Sequence, residues 1–433
     1  MTNQGKSFCQ IVCVAALVGV AVVSFSFWDP TTAHPSPSRR RLSRVLAEDF
    51  SAVHLAAVDP AKEVHQALVA GSLSASNPMV LGAMANTPWL LPPGTKLPYS
   101  GMENDLDGLL RTQASGPVQG FPAVTMVFFS HHHRTMLMNC VYSLSKFAGV
   151  SSFIVLTWDD RSLSTCLQMN LPCYNASGLL PAPIDDHQEA LFQTESYTQI
   201  MWFRPLVISK VLERGYAVHH TDVDIAYSPF DLYASFGAYM KQTGITGVFM
   251  AELPVNGGNY FVLPTPAGRL LFQRWVSVMN PSIALGYHDQ DGLSRLVVAA
   301  YETCDSWRQC ATRLAARNKT STSVSPQSSK ALLRRTPSAF QELFGSWCAG
   351  NEPEKLTPVD PCQQGFSFAY FHVICATGAE PKVAGLKAIG YWFLDAACAA
   401  EGPLSNCKPL AWSQPAVEDS FLRCPKTRIA FNA

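Results

Sequence analysis

The chain has 433 residues, 48% hydrophobic and only 15% charged, so it carries the apolar surface of a large folded core and is not a disordered chain. Lys and Arg total 32, as do Asp and Glu, and a formal net charge of zero excludes a protein that coats nucleic acid or anionic lipid by bulk charge. Recognition must come from a local site.

After a short tail (residues 1–7), Phe8 to Trp28 contains no charged residue and is long enough to span a bilayer as a helix, which predicts a transmembrane signal anchor. A cleaved signal peptide competes with it, but such peptides have shorter apolar cores, and Ser24-Phe25-Ser26 is a poor cleavage site. Arg39, Arg40, Arg41 and Arg44 follow the run and by the positive-inside rule favour a cytoplasmic body, that is, a soluble cytoplasmic enzyme if the anchor is misread. Sequons at Asn175-Ala176-Ser177 and Asn318-Lys319-Thr320, together with thirteen cysteines, point instead to an oxidising lumen. We take the lumenal reading: a single-pass type II protein of the Golgi membrane. Cys304/Cys310, Cys348/Cys362 and Cys398/Cys407 are spaced for local bridges.

Residues 29–120 are rich in Pro, Ser, Gly and Arg clusters, such as Pro92-Pro93-Gly94, and read as a stem. From residue 121 to 433 apolar strands alternate with helical segments, the pattern of a largely parallel α/β sheet. Strands are predicted at Val124–Phe129, Phe153–Thr157, Tyr216–His220, Gly247–Glu252 and Tyr260–Leu263. Helices are predicted at Arg134–Phe147, Thr265–Val278 and Asp289–Tyr301, and through Ile200, Phe203, Val207 and Val211, with Gly215 at the helix end. Residues 302–360, rich in Ser, Thr, Lys and Arg, read as an inserted surface loop.

The segment Gly215 to Asp231 carries the strongest chemical signal, because an apolar strand there runs into Asp222-Val223-Asp224. Ligands of open α/β sheets gather beyond the carboxyl ends of strands. Two carboxylates one residue apart at such a point can hold Mn²⁺ or Mg²⁺, which would neutralise a departing diphosphate; a solvated turn is the plain alternative. His131-His132-His133 reads as a loop lining solvent or substrate rather than a zinc site, since adjacent histidines point apart. Neither a Gly-x-Gly-x-x-Gly, a Walker loop nor a Gly-x-Ser-x-Gly occurs, and aromatic residues are not interleaved with basic runs, so no nucleic-acid partner is expected.

Four blocks in order carry a family resemblance: His219 to Asp231; Asn256-Gly257-Gly258-Asn259-Tyr260-Phe261-Val262; His288-Asp289-Gln290-Asp291; and His372 to Leu394, with Gly378, Lys382 and Trp392. Over about Val124 to Leu394, insert excluded, the chain resembles the membrane-anchored nucleotide-diphospho-sugar transferases of the secretory pathway, the group that includes plant cell-wall α-xylosyl- and arabinosyltransferases. It departs from the pattern at Ile374, where asparagine is frequent.

The resemblance implies a GT-A-like fold, a mixed, mainly parallel sheet flanked by helices, here preceded by a transmembrane helix and stem. It implies Asp222, Asp224 and His372 as metal ligands, and Arg204, Asp222, Asp224, Asn256, Gly258, Gly378 and Lys382 around the donor; a core histidine at His372, a structural salt bridge at Arg204, a solvated helix lysine at Lys382 and an ordinary turn at Asn256–Gly258 are the plain alternatives. Asp289, Gln290 and Asp291 are the implied catalytic block, with Asp289 at the acceptor or donor sugar and Gln290 at the anomeric carbon. The activity implied is metal-dependent, retaining transfer of a sugar from a nucleotide diphosphate, UDP foremost, to a glycan or glycoprotein hydroxyl. Either the diphosphate takes the acceptor proton, or Asp289 or Asp291 forms a covalent intermediate. A membrane-tethered carbohydrate- or nucleotide-binding protein that has lost turnover is the alternative.

The lumenal reading predicts that endoglycosidase raises the electrophoretic mobility of the protein made in cells. Unmodified Asn175 and Asn318, with digestion of the body by protease added outside intact microsomes, would show the opposite orientation.

Overall fold

The computed structural model describes residues 59–179, 192, 194–251, 255–300, 333–335, 344–348, 370–374 and 376–416. Residues Met1–Glu63 and Val64–Ala433 separate as two units, and the second is described here. The expected membrane anchor, Phe8 to Trp28, lies outside the described residues, among which no helix is long and apolar enough to cross a membrane.

Helices α1 (Pro60–Val69), α2 (Pro78–Ala83) and α3 (Leu106–Gln113) precede the sheet. Strands β1 (Ser115–Val118) and β2 (Phe121–Phe128) lead to α4 (Arg134–Lys146), β3 (Phe153–Thr157), α5 (Asp160–Gln168) and β4 (Cys173–Asn175). Then come α6 (Glu195–Met201), α7 (Phe203–Glu213), β5 (Ala217–Asp222), β6 (Ile225–Tyr227), α8 (Leu232–Thr243), β7 (Gly247–Ala251) and β8 (Val255–Val262). The chain continues through α9 (Pro266–Ser277), α10 (Met279–Ala284), α11 (Asp289–Ala300), β9 (Leu333–Arg335), β10 (Phe344–Cys348), β11 (Tyr370–Ile374) and α12 (Ala379–Ala388).

The main sheet runs β4-β3-β2-β5-β8-β7-β9, with β1 paired to β2, and a smaller sheet runs β10-β11-β6. Strands β4, β3, β2 and β5 are mutually parallel, and β8 is antiparallel to both neighbours. The fold is therefore mixed α/β with a mainly parallel sheet flanked by helices. From β2 the chain winds outward through β3 to β4 and then returns to place β5 on the other side of β2. That reversal opens a crevice at the carboxyl ends of β2 and β5.

Burial on both faces explains the apolar strands. Val124, Met126 and Phe128 of β2 join Val218 of β5 in the main core cluster, with Phe203, Val207 and Val211 of α7 packed onto them. The helix expected through Ile200 to Val211 is divided at Trp202. Pro205 has no amide to donate to the carbonyl of Met201, so the ladder breaks there. Gly215 follows the helix at φ 89, the left-handed position expected of it. Gly292 lets α11 approach the α6–α7 junction, since a methyl group there would overlap the Trp202 ring.

The body begins earlier than residue 121. Leu106, Leu109 and Leu110 belong to the core cluster, Trp89 Nε1 donates to the Cys407 carbonyl at 2.7 Å, and Asn170 Nδ2 donates to the carbonyls of Pro88 and Leu91 at 3.1 Å each. Apolar spacing in those short helices is hidden among Pro and Gly, which made the segment read as stem. Within the expected surface loop 302–360, β9 pairs with β7 and β10 with β11, so part of it extends the sheets; its remaining residues lie outside the described ones. Cys398–Cys407 is bridged as the spacing allows, whereas Cys166–Cys173, joining α5 to β4, was not foreseen. Cys304, Cys310 and Cys362 lie outside the described residues.

His219 sits fully inside the sheet, with Nδ1 3.1 Å from Thr125 Oγ1 and Nε2 3.3 Å from Asn259 Oδ1. Burial drives its pKa down to about 3. The folded state thus resists a proton that the unfolded chain accepts near pH 6.5, and this contribution, complete above 6.5, is lost as pH falls toward 3. Urea unfolding should give about 2 kcal/mol less stability at pH 5 than at pH 7.5, with the difference reduced in His219→Gln.

Candidate active site

Asp222 closes β5 at the switch point, and Val223-Asp224 turns the chain into β6. The Asp222 side chain is 25% exposed and that of Asp224 is buried. They line one cleft with Phe128, Trp158, Tyr197 and Lys382. Phe128 and Trp158 stack at 4.5 Å and form its apolar wall.

Strand pairing delivers the distant residues. β11 runs antiparallel to β6 and sets His372 opposite Ile225, next to Asp224. His372 Nε2 lies 3.2 Å from Asp224 Oδ1, and its buried Nδ1 has no hydrogen-bond partner among the described residues. The chain then turns at Gly378, φ 87, into α12, whose Lys382 Nζ donates to Asp224 Oδ2 at 2.6 Å across a separation of 158 residues. Asp222, Asp224 and His372 each offer a ligand atom within 4.8 Å of the others. Two carboxylates and an imidazole suit a divalent cation such as Mn²⁺ or Mg²⁺, so these residues fit the metal that the sequence implied.

Burial pushes the Asp222 carboxyl up, but Arg204 and His220 outweigh it and hold it at about 2. For Asp224 burial acts the same way, and Lys382 and His372 more than offset it, keeping the carboxyl well below its usual range. His372 is depressed by burial but raised, on balance, by Asp224.

Arg204 forms the salt bridge that is the alternative reading of its sequence position, and Asp289 is its partner. Arg204 is buried beside Phe128, with its guanidinium carbon 5.7 Å from that ring's centroid. Its Nη1 donates to both Asp222 oxygens at 2.9 and 3.1 Å, while Nε and Nη2 donate to Asp289 at 3.0 and 2.8 Å. Asp289 is 0% exposed and both its oxygens are engaged, so it presents no open carboxylate to a sugar. Arg204 is accordingly a clamp between two aspartates. The Trp275 indole, donating to the Asp289 carbonyl at 2.8 Å, pins this end of α11.

Gln290 Oε1 accepts from the Gly257 amide at 2.9 Å, and Asn256 Oδ1 accepts from the Gly258 amide at 2.6 Å. A methyl group on Gly258 would overlap Asp222 Oδ2, so the glycine expected beside the donor is needed for the carboxylate itself. Asp291 stands apart, 43% exposed, with Oδ2 3.5 Å from His288 Nε2. The structure thus gathers Arg204, Asp222, Asp224, Asn256, Gly258, Asp289, Gln290, His372 and Lys382 into one connected region.

Sequence reasoning missed His220, whose Nε2 lies 3.3 Å from Asp222 Oδ1, and the cleft walls Phe128, Trp158 and Tyr197. Strand alternation could have found His220, which lies two residues before Asp222 on the same face. His131 is tied to Thr165 Oγ1 at 2.6 Å, and His133 faces the cleft, consistent with a lining loop and not with a three-histidine metal site.

Residues 148–314 match the sequence model of the nucleotide-diphospho-sugar transferase family. The family resemblance read from the sequence is borne out. An uncharacterized protein of Arabidopsis thaliana is 26% identical over 148 residues, 34% of this chain and 44% of the relative. The UDP-D-xylose:L-fucose alpha-1,3-D-xylosyltransferase 3 of the same plant is 25% identical over 186 residues, 38% of this chain and 48% of the relative. The chain thus spans less than half the length of these curated relatives. Mouse xyloside xylosyltransferase 1 in its apo form aligns with TM-score 0.32 and 11% identity over 58% of this chain and 98% of that chain, too slight a likeness to support an argument. Asp222, Asp224, Asp289 and Gln290 fall inside the matched transferase segment; His372 and Lys382 fall outside it.

Arg204→Met would strand two carboxylates and should lower the unfolding free energy by about 3–5 kcal/mol. Gly258→Ala, which only crowds Asp222, should cost about 1–3 kcal/mol, and urea titration of both variants compares the two.

Proposed function

We propose that the protein is a metal-dependent glycosyltransferase that moves a sugar from a nucleotide diphosphate, UDP foremost, to a hydroxyl of a glycan or glycoprotein, with retention of anomeric configuration. The observation that carries this reading is the convergence of Asp222, Asp224 and His372 at the sheet's switch point, two of them inside the matched family segment. The bridges Cys166–Cys173 and Cys398–Cys407 support a lumenal, Golgi-type setting, with the N-terminal apolar run as tether.

In this reading Asp222, Asp224 and His372 hold Mn²⁺ or Mg²⁺. When bound, such a cation supplies positive charge against the leaving diphosphate. Lys382, on a flexible stem and already in the cleft, shifts from Asp224 toward the diphosphate and adds a second positive charge. Gly378, at φ 87, turns the chain into α12 and so brings Lys382 to the cleft. Phe128 and Trp158 keep water from one wall. Arg204, neutralised on both sides, keeps Asp222 ionised and oriented. Asp289 is sealed in that pair and Asp291 lies outside the cleft lining, against His288, so the reading takes the other route: as the acceptor oxygen bonds to the sugar, the leaving diphosphate takes its proton on the face it departs from.

Calorimetry tests the reading directly. Wild-type protein should bind UDP with Mn²⁺ present, and the isosteric double variant Asp222→Asn, Asp224→Asn should lose this binding by at least about tenfold. Absence of UDP binding in the wild type refutes the assignment. Binding without hydrolysis or transfer across a panel of UDP- and GDP-sugars would select the non-catalytic alternative. One curated relative is named for UDP-D-xylose and L-fucose, which makes that pair the first donor and acceptor to try.

A further inference from the structure

Three rings meet at the rim of the cleft. Phe192 is 51% exposed, an unusual state for so large an apolar side chain. It packs T-shaped on Tyr197, with centroids 5.4 Å apart, and lies 5.8 Å from the His288 ring. Tyr197 and His288 meet edge to face at 6.0 Å. Tyr197 also lines the cleft of Asp222, Asp224 and Lys382, so the ring cluster is continuous with the proposed reaction site.

Polar groups border the rings on one side. His288 Nε2 is 3.5 Å from Asp291 Oδ2, while its buried Nδ1 lies 3.8 Å from Asp289 Oδ1, so Nε2 is the ring atom on the Asp291 side. Burial pushes the Tyr197 hydroxyl up, so it stays a neutral donor and acceptor at physiological pH. Unlike Asp289, Asp291 has an open carboxylate.

This combination matches one ligand chemistry. A pyranose offers an apolar face of C–H groups, edged by hydroxyls that donate to carboxylates and accept from imidazole and phenol. An exposed ring supplies the surface for that face, and the neighbouring carboxylate and imidazole supply directional partners. The other aromatic pair does not compete for this role, because Phe128 and Trp158 are buried against each other.

We propose that Phe192, Tyr197, His288 and Asp291 form the acceptor subsite and receive a neutral pyranose. The inference rests on the glycosyltransferase reading and adds the class of acceptor and the residues that select it. Phe192 would hold the sugar ring, and Asp291 would orient it through a hydroxyl, leaving the reacting hydroxyl directed toward the cleft.

Saturation-transfer NMR on the full chain, with UDP and diamagnetic MgCl2 present, tests binding without requiring turnover. The probes are methyl α-L-fucoside, methyl β-D-xyloside and methyl β-D-galactoside at millimolar concentration. At least one should receive saturation on its ring C–H protons. Phe192→Ala should reduce that signal by about tenfold, the loss of a ring contact, and Asp291→Asn should weaken it by a smaller factor. Both positions are at the surface, so thermal unfolding should match the wild type. An unchanged signal in Phe192→Ala, no signal from any glycoside, or displacement only by an unglycosylated peptide overturns the inference. Failure of the wild type to bind UDP in the separate calorimetric titration is the mark of a wrong transferase reading, whatever the glycosides do.

Discussion

Arg204 is the constraint on which the site depends. A guanidinium buried without partners is prohibitively costly, and its planar fork is matched here by two carboxylates from distant elements, Asp222 at the end of β5 and Asp289 at the start of α11. Because each aspartate needs the same cation, the strand end and the helix start are fixed relative to each other. Further polar contacts depend on that placement: Gln290 reaches the Gly257 amide, and Trp275 reaches the Asp289 carbonyl. Gly258 is confined to a hydrogen-sized side chain by the carboxylate beside it.

The second carboxylate is managed differently. Asp224 faces Lys382 and His372, which arrive on α12 and β11, after the long segment that follows α11. One aspartate is thus locked by an arginine that holds two partners at once, while the other is balanced by a lysine on a flexible stem and an imidazole. Of these cations Lys382 is the more exposed, its side chain 25% accessible at the cleft, whereas that of Arg204 is 4% accessible. The asymmetry separates two chemically identical residues: Asp222 is held by a guanidinium that also holds Asp289, and Asp224 lies between a lysine at the cleft and a buried imidazole.

Around this centre the chain places rings at two depths. Phe128 and Trp158 form a sheltered wall at the ends of β2 and β3, and Phe192, Tyr197 and His288 cluster at the rim. A sheltered wall excludes water from charged chemistry, whereas an exposed ring offers its surface to a ligand. The sheltered wall follows from the parallel sheet, which directs the ends of β2 and β3 to one edge, whereas the rim rings are brought there by α6 and the start of α11.

Much of this was legible in the residues. Apolar runs rich in β formers marked β2, β3, β5, β7 and the latter part of β8, because burial on both faces leaves little room for polar side chains. Asp222-Val223-Asp224 could be placed at a strand end from local order alone, and Gly215 announced the end of α7. Local pattern did not reveal the packed helices of residues 64–113, whose short apolar spacings lie among turn residues, nor the break at Trp202. The sequence by itself therefore determined the fold class, the strand that bears the acidic pair, and the order of the chemical blocks, since these follow from burial and near-neighbour preference. Only the tertiary structure decided that Arg204 and Asp289 spend their charges on each other, that His372 and Lys382 converge on Asp224, and that Asp291 alone of its block keeps an open carboxylate. Ion pairing depends on distance in space, and one-dimensional order does not encode which opposite charge a folded chain will bring within 3 Å.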